Sequence, residues 1–198
     1  MPSIVVQLPA DRIQTGTLSL VADDGVTVIA GPFMVYGKAD GQTAAANGNA
    51  TRNTLLPFGD TPLGTYSVPG MEVTGDGTGR STHSYGPNGA IRLNPTGGDA
   101  ATAAIDGRQY LLIHGGDLNA AGLLRPTNGC LRLSNPDMVS LINSISVEAQ
   151  LSGPPNSCSL GVLAVSVFGP GGVDDGYDAG DPPPPAAAMP IPAPIPLP

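Results

Sequence analysis

Glycine and proline break this chain into short pieces, 28 and 22 of them among 198 residues. A glycine inside a helix costs about 1 kcal/mol relative to alanine and a proline about 3, so this punctuation favours short strands joined by tight turns over long helices. The apolar runs fit. Residues 3–8 (SIVVQL), 17–22 (TLSLVA) and 26–30 (VTVIA) are rich in β-branched side chains, and Asp23-Asp24-Gly25 between the last two is a hairpin signal. Residues 33–36 continue the pattern after Gly31-Pro32, so the chain is expected to open as a β-meander.

Further along, residues 61–64 (TPLG) read as a turn into a strand that starts near Thr65 and carries Tyr66 and Val68. Residues 39–53 and 75–89 are small, polar and aperiodic, and read as exposed loops. The first contains Asn49-Ala50-Thr51, which fits a glycosylation acceptor, a tripeptide common by chance. Residues 90–93 and 110–113 are short strands separated by a Gly, Asp and Ala-rich connection.

One segment reads as a helix. Asn135 serves as N-cap, Pro136 takes the first helical position, Asp137 lies in the first turn, and Met138, Leu141, Ile142 and Ile145 share a face. Residues 147–151 and 160–168 are expected to close the domain as strands, the second buried on both faces. The fold class is mainly all-β with one short helix, in a single domain over residues 1–172. Residues 173–198 turn acidic and then proline-rich, with nine prolines after residue 180, and are expected to be disordered, a tether, or a ligand for a partner's groove.

Charge narrows the partners. Eight basic against sixteen acidic residues give a formal charge of −8, which repels nucleic acid and anionic membranes. No apolar run approaches the roughly 20 residues of a membrane span. The N-terminus has no basic residue before Arg12 and does not read as a secretory signal, which leaves another export route open. Two histidines and two scattered cysteines show no ligand spacing, so no metal or cofactor is expected.

The chemistry gathers in residues 110–135 (YLLIHGGDLNAAGLLRPTNGCLRLSN), which hold His114 and, sixteen positions on, Cys130. Each sits where an apolar run meets a glycine. A free thiol of pKa about 8.5 is only a few per cent thiolate at neutral pH, and a neighbouring imidazole can lower that value and take the proton. Three rival readings stand beside this one. Cys130 and Cys158 can pair as a disulfide; Arg132, alternating with Leu131 and Leu133, can be the solvent side of a strand; and His83 is a second base by residue type, on a polar loop with Tyr85.

His114-Gly115, a spacer, then Thr127-Asn128-Gly129-Cys130-Leu131-Arg132 and Asn135 resemble the signature of the L,D-transpeptidase (YkuD-type) catalytic domain, and residues 61–68 (TPLGTYSV) are similar to a second motif of that family. The resemblance implies a YkuD-like β-sandwich or open barrel acting on peptidoglycan stem peptides in the bacterial periplasm or cell envelope. It implies Cys130 as nucleophile, His114 as general base, and the Gly129 and Cys130 N–H groups as oxyanion donors. Arg132, Asn128, Gly115, Thr127 and Tyr85 are the expected supporting or substrate-binding residues. Asn128 stands where the family usually has histidine, and Gly115 where a serine often follows the catalytic histidine. The expected activity is cysteine-dependent acyl transfer by cross-linking, exchange or L,D-carboxypeptidase trimming, including as an effector delivered by a specialised secretion system. The alternative is a non-catalytic wall-binding or structural domain that keeps the fold.

Overall fold

A computed structural model describes residues 1–151 and 154–162. The meander is present: β1 (Ser3–Leu8), β2 (Gly16–Val21) and β3 (Val28–Val35) pair antiparallel in sequence order. In β1 alternate side chains are buried, placing Ile4, Val6 and Leu8 in the core. The remaining strands are β4 (Gly64–Ser67), β5 (Met71–Glu72), β6 (Ala90–Gly97), β7 (Leu111–His114), β8 (Leu131–Arg132) and β9 (Ser157–Val162). They form a sheet in the order β3-β2-β1-β9-β4-β6-β7-β8, with β5 on β6.

The two edges of this sheet meet. Just past β3, Tyr36 exchanges two backbone hydrogen bonds with Arg132 of β8, each 2.9 Å long. One step on, Thr127 donates its N–H to the Lys38 carbonyl and its own carbonyl accepts from Asp40. The sheet thus curls into a nearly closed barrel whose seam lies beside the cysteine turn, and closure removes the exposed edges an open sheet would leave. Inside sit Ile4, Leu18, Leu20, Tyr66, Ile91, Leu93, Ile113, Leu131 and Leu133.

Helices contribute more than the sequence suggested. Asp40, read as part of an exposed loop, accepts from Thr43 N–H at 2.7 Å and caps α1 (Gly41–Ala46). The following turn is ordered by Asn49, which is buried, donates to the Asn53 and Pro57 carbonyls, and accepts from Asn53 N–H. That burial also removes Asn49 as an accessible glycosylation acceptor. The second polar loop contains α2 (Thr82–Tyr85), and the Ala-rich connection folds as α3 (Asp99–Ile105), with Ala100 and Ala103 buried.

The recognised helix is longer than expected. α4 spans Asn135–Leu151, so residues 147–151 are its last turn and not a strand. Val147, Ala149 and Leu151 alternate, while Val147 and Leu151 are also four apart, so this five-residue window fits either period and continuity with the preceding helix decides it. Met138, Leu141 and Ile145 face the core, with Ile142 packed against it. The N-cap is Ser134, whose Oγ accepts from Asp137 N–H at 3.1 Å. Strand β9 alternates buried and exposed residues, with Cys158 and Leu160 inward, so within 157–162 it is covered on one face only. The rest of the expected last strand, the domain boundary near residue 172 and the proline-rich tail lie outside the described residues. Among those described, no helix is long and apolar enough to cross a membrane.

Candidate active site

Strand register brings the candidate residues together. On β7 and β8, which run parallel, His114 pairs with Arg132 and Ile113 with Leu131. Side chains two apart share a face, so Leu112 and His114 lie on the same face as Cys130 and Arg132, joined from β6 by Ala90, the partner of His114, and Arg92, the partner of Leu112. Ile113, Leu131 and Leu133 point the other way, into the core. All four residues of β7 are buried because its outer face is covered as well. Tyr85, at the end of α2, supplies part of that cover: its ring centroid lies 4.7 Å from that of His114, and it packs against the cluster of Ala90, Leu112 and Cys130.

His114 is 2% exposed. Its Nδ1 lies 2.6 Å from the Gly115 carbonyl oxygen, which can only accept, so Nδ1 carries the proton and Nε2 presents the lone pair. Burial, reinforced by the positive charge of Arg132, pushes the imidazole down to about 4. It is neutral at neutral pH, and burial opposes its protonation, so Nε2 presents an unprotonated lone pair.

Cys130 and Cys158 are both free thiols. Cys158, paired with Ile4 in the core, is pushed up to about 12 by burial and behaves as a small hydrophobe. Burial also raises the Cys130 thiol, opposed by a hydrogen bond from the Leu112 backbone and by the charges of Arg108, Arg132 and Arg80. Cys130 opens onto a cavity of about 330 Å³ whose lining includes Phe58, Tyr85, Arg108, Tyr110 and Asn128.

The turn before the cysteine is held from inside. Thr127 Oγ1 accepts from Gly129 N–H at 3.0 Å and donates to the Cys130 carbonyl at 2.9 Å. Gly129 N–H is therefore committed to Thr127 here and is not free to serve an oxyanion, contrary to the expectation from its motif position. Gly129 has φ +101°, and a Cβ there would strike the Arg108 guanidinium and the Gly59 carbonyl, so only glycine fits. Thr61, fully buried, donates to the Gly129 carbonyl at 2.9 Å. The upstream TPLG segment thus braces the cysteine turn besides starting a strand.

Arg132 is 3% exposed, which overturns the solvent-side reading. Its Nη2 donates to the Ser84 carbonyl, fastening α2 over the site, and burial together with the charge of Arg125 lowers it to about 10, still protonated at neutral pH. Gly115 lies under the Asn135 side chain, whose Oδ1 would collide with any Cβ there and accepts from Gly116 N–H at 2.8 Å. The space a serine would need is filled. Asn128 is exposed on the cavity wall.

His83 is placed elsewhere. It is exposed, with Nδ1 2.7 Å from Asp117 Oδ2 and Nε2 2.6 Å from Arg125 Nη1, so both ring nitrogens are engaged. Arg108 carried no motif signal and escaped the sequence reading, whereas Thr61 and Asn135 fall inside the two quoted motifs but were given only the roles of turn punctuation and helix cap. Among the described residues no group of three or more His, Cys, Asp or Glu side chains could hold a metal ion.

Fold and site together define a mainly β domain that presents a buried imidazole and a cavity-lining thiol on one sheet face. The chain belongs to the L,D-transpeptidase catalytic domain family, YkuD, whose model matches residues 3–154. A crystal structure of Mycobacterium tuberculosis L,D-transpeptidase 1 is similar at 13% identity and a TM-score of 0.34, covering 81% of this chain. This chain corresponds to 62% of that protein's length. No curated protein matches the sequence.

Proposed function

We propose that this domain performs cysteine-dependent acyl transfer on peptidoglycan tetrapeptide stems. The observation that carries the reading is the register of β7 and β8, which puts His114 on the same face as Cys130, a residue that lines the 330 Å³ cavity. The resting pair is a thiol and a neutral imidazole. His114 Nε2 takes the thiol proton as sulfur attacks the carbonyl carbon of the bond to the terminal D-alanine, and the oxyanion falls to the Cys130 N–H. Collapse breaks the C–N bond, the imidazolium returns its proton to the departing amine, and a thioester remains on Cys130. An amine from a second stem completes transpeptidation or exchange, and water completes trimming. Arg132 and Tyr85 support the face, Thr127 and Gly129 shape the turn, Gly115 makes room for Asn135, and Asn128 meets substrate on the cavity wall. This chemistry places the protein in the bacterial envelope, where its substrate is.

A second reading is favoured by one observation: the Gly129 N–H is already bonded to Thr127. With one oxyanion donor withdrawn, a domain that binds wall peptides without turning them over is the alternative. Mass spectrometry of purified disaccharide-tetrapeptide incubated with wild type and with Cys130→Ala separates the two. Loss of D-alanine, or a dimer, that disappears in the variant supports the enzyme. Unchanged substrate with measurable wall binding supports the alternative.

A further inference from the structure

Arg108 lies in the loop between α3 and β7, is 3% exposed, and turns both Nη groups to main-chain carbonyls while its buried Nε has no partner. Nη1 donates to Thr54 at 2.6 Å and to Leu56 at 3.1 Å; Nη2 donates to Gly59 at 2.5 Å and to Gly129 at 3.4 Å. Three of these carbonyls belong to the loop that carries Phe58 into the cavity wall, and the fourth belongs to the residue before the cysteine. A planar fork can bridge two segments in this way, whereas an ammonium offers a single point of attachment. The same group is a buried positive charge whose field favours a thiolate at Cys130. Gly129 is a glycine because this guanidinium occupies the space of its Cβ.

We propose that Arg108 is the positioning residue of the nucleophile turn: its guanidinium clamps the 54–59 loop to the Gly129 carbonyl and sets its charge against the Cys130 sulfur. This rests on Cys130 being the nucleophile. Arg108 touches no reacting atom; it fixes where the sulfur sits and how readily it ionises.

The test reads alkylation of Cys130 by iodoacetamide against pH, quantified on the Cys130 peptide by mass spectrometry so that Cys158 does not interfere, alongside circular dichroism and D-alanine release. Arg108→Met is expected to fold and to move the alkylation midpoint up by about one pH unit, a tenfold slower reaction at neutral pH. Arg108→Lys is expected to keep the midpoint near that of wild type and to lower D-alanine release about tenfold, since charge is retained and the fork is lost. A folded Arg108→Met with wild-type midpoint and wild-type release overturns the proposal. So does loss of folding in both variants, which makes the guanidinium a strut and nothing more. The alkylation readout needs no substrate. A shifted midpoint in a protein that never releases D-alanine sustains this inference while the transferase reading falls.

Discussion

At the residue scale, burial sets the chemistry of the pair. His114 titrates at about 4 in the fold against 6.5 for the free side chain. Between those values the unfolded chain binds a proton that the folded one refuses, so stability falls as pH drops from 6.5 toward 4 and is unaffected by this group above 6.5. The effect is about 3 kcal/mol at the acid end. Thermal melts of wild type and His114→Gln between neutral pH and about pH 4.5 check it. The acid loss of Tm should be smaller in the variant, and equal losses would rule out the buried neutral imidazole. The motif position of His114 was legible from the sequence, and the strand expected over 110–113 was to deliver it; in the fold His114 is itself the strand's last residue. Its tautomer was not legible, because that depends on the Gly115 carbonyl folding back onto Nδ1.

At the element scale, the start of α4 divides two tasks between neighbours. Ser134 caps the helix and Asn135 ties Gly116, so stability and site geometry separate there. Ser134→Ala is expected to cost about 1 kcal/mol in urea unfolding with little change in turnover. Asn135→Ala is expected to lower D-alanine release more than it lowers stability, because it frees the segment that follows His114. The reverse pattern would mean that the cap had been assigned to the wrong residue. The sequence reading put the cap at Asn135; Ser134 beside it is of an equally preferred type, and propensity does not choose between neighbours. The Asn135 side chain is drawn off by an N–H nineteen positions upstream. The same limit explains residues 147–151, where a local window allowed a strand and chain continuity made a helix turn.

For the whole molecule, closure of the sheet is what brings the cysteine turn to the rest of the site. Tyr36 and Arg132 hold the seam through two backbone bonds, and Asp40 and Thr127 extend it. Amide hydrogen exchange should therefore show Tyr36 and Arg132 protected to the same level as β1 and β2. Exchange on the timescale of loop amides would mean that the sheet is open at this edge.

What the sequence alone determined is local: short strands from β-branched runs between glycine and proline, a helix after Asn135, a meander with its Asp-Asp-Gly hairpin, and a thiol and an imidazole in motif positions. These follow from periodicity and turn chemistry, which act over a few residues. Tertiary structure decided the rest. Arg108 meets Gly129 across 21 residues, Thr61 meets it across 68, and Tyr36 meets Arg132 across the seam. Each is a hydrogen bond to a main-chain carbonyl, a partner every residue presents alike, so no side-chain pattern in the sequence could mark where it would form.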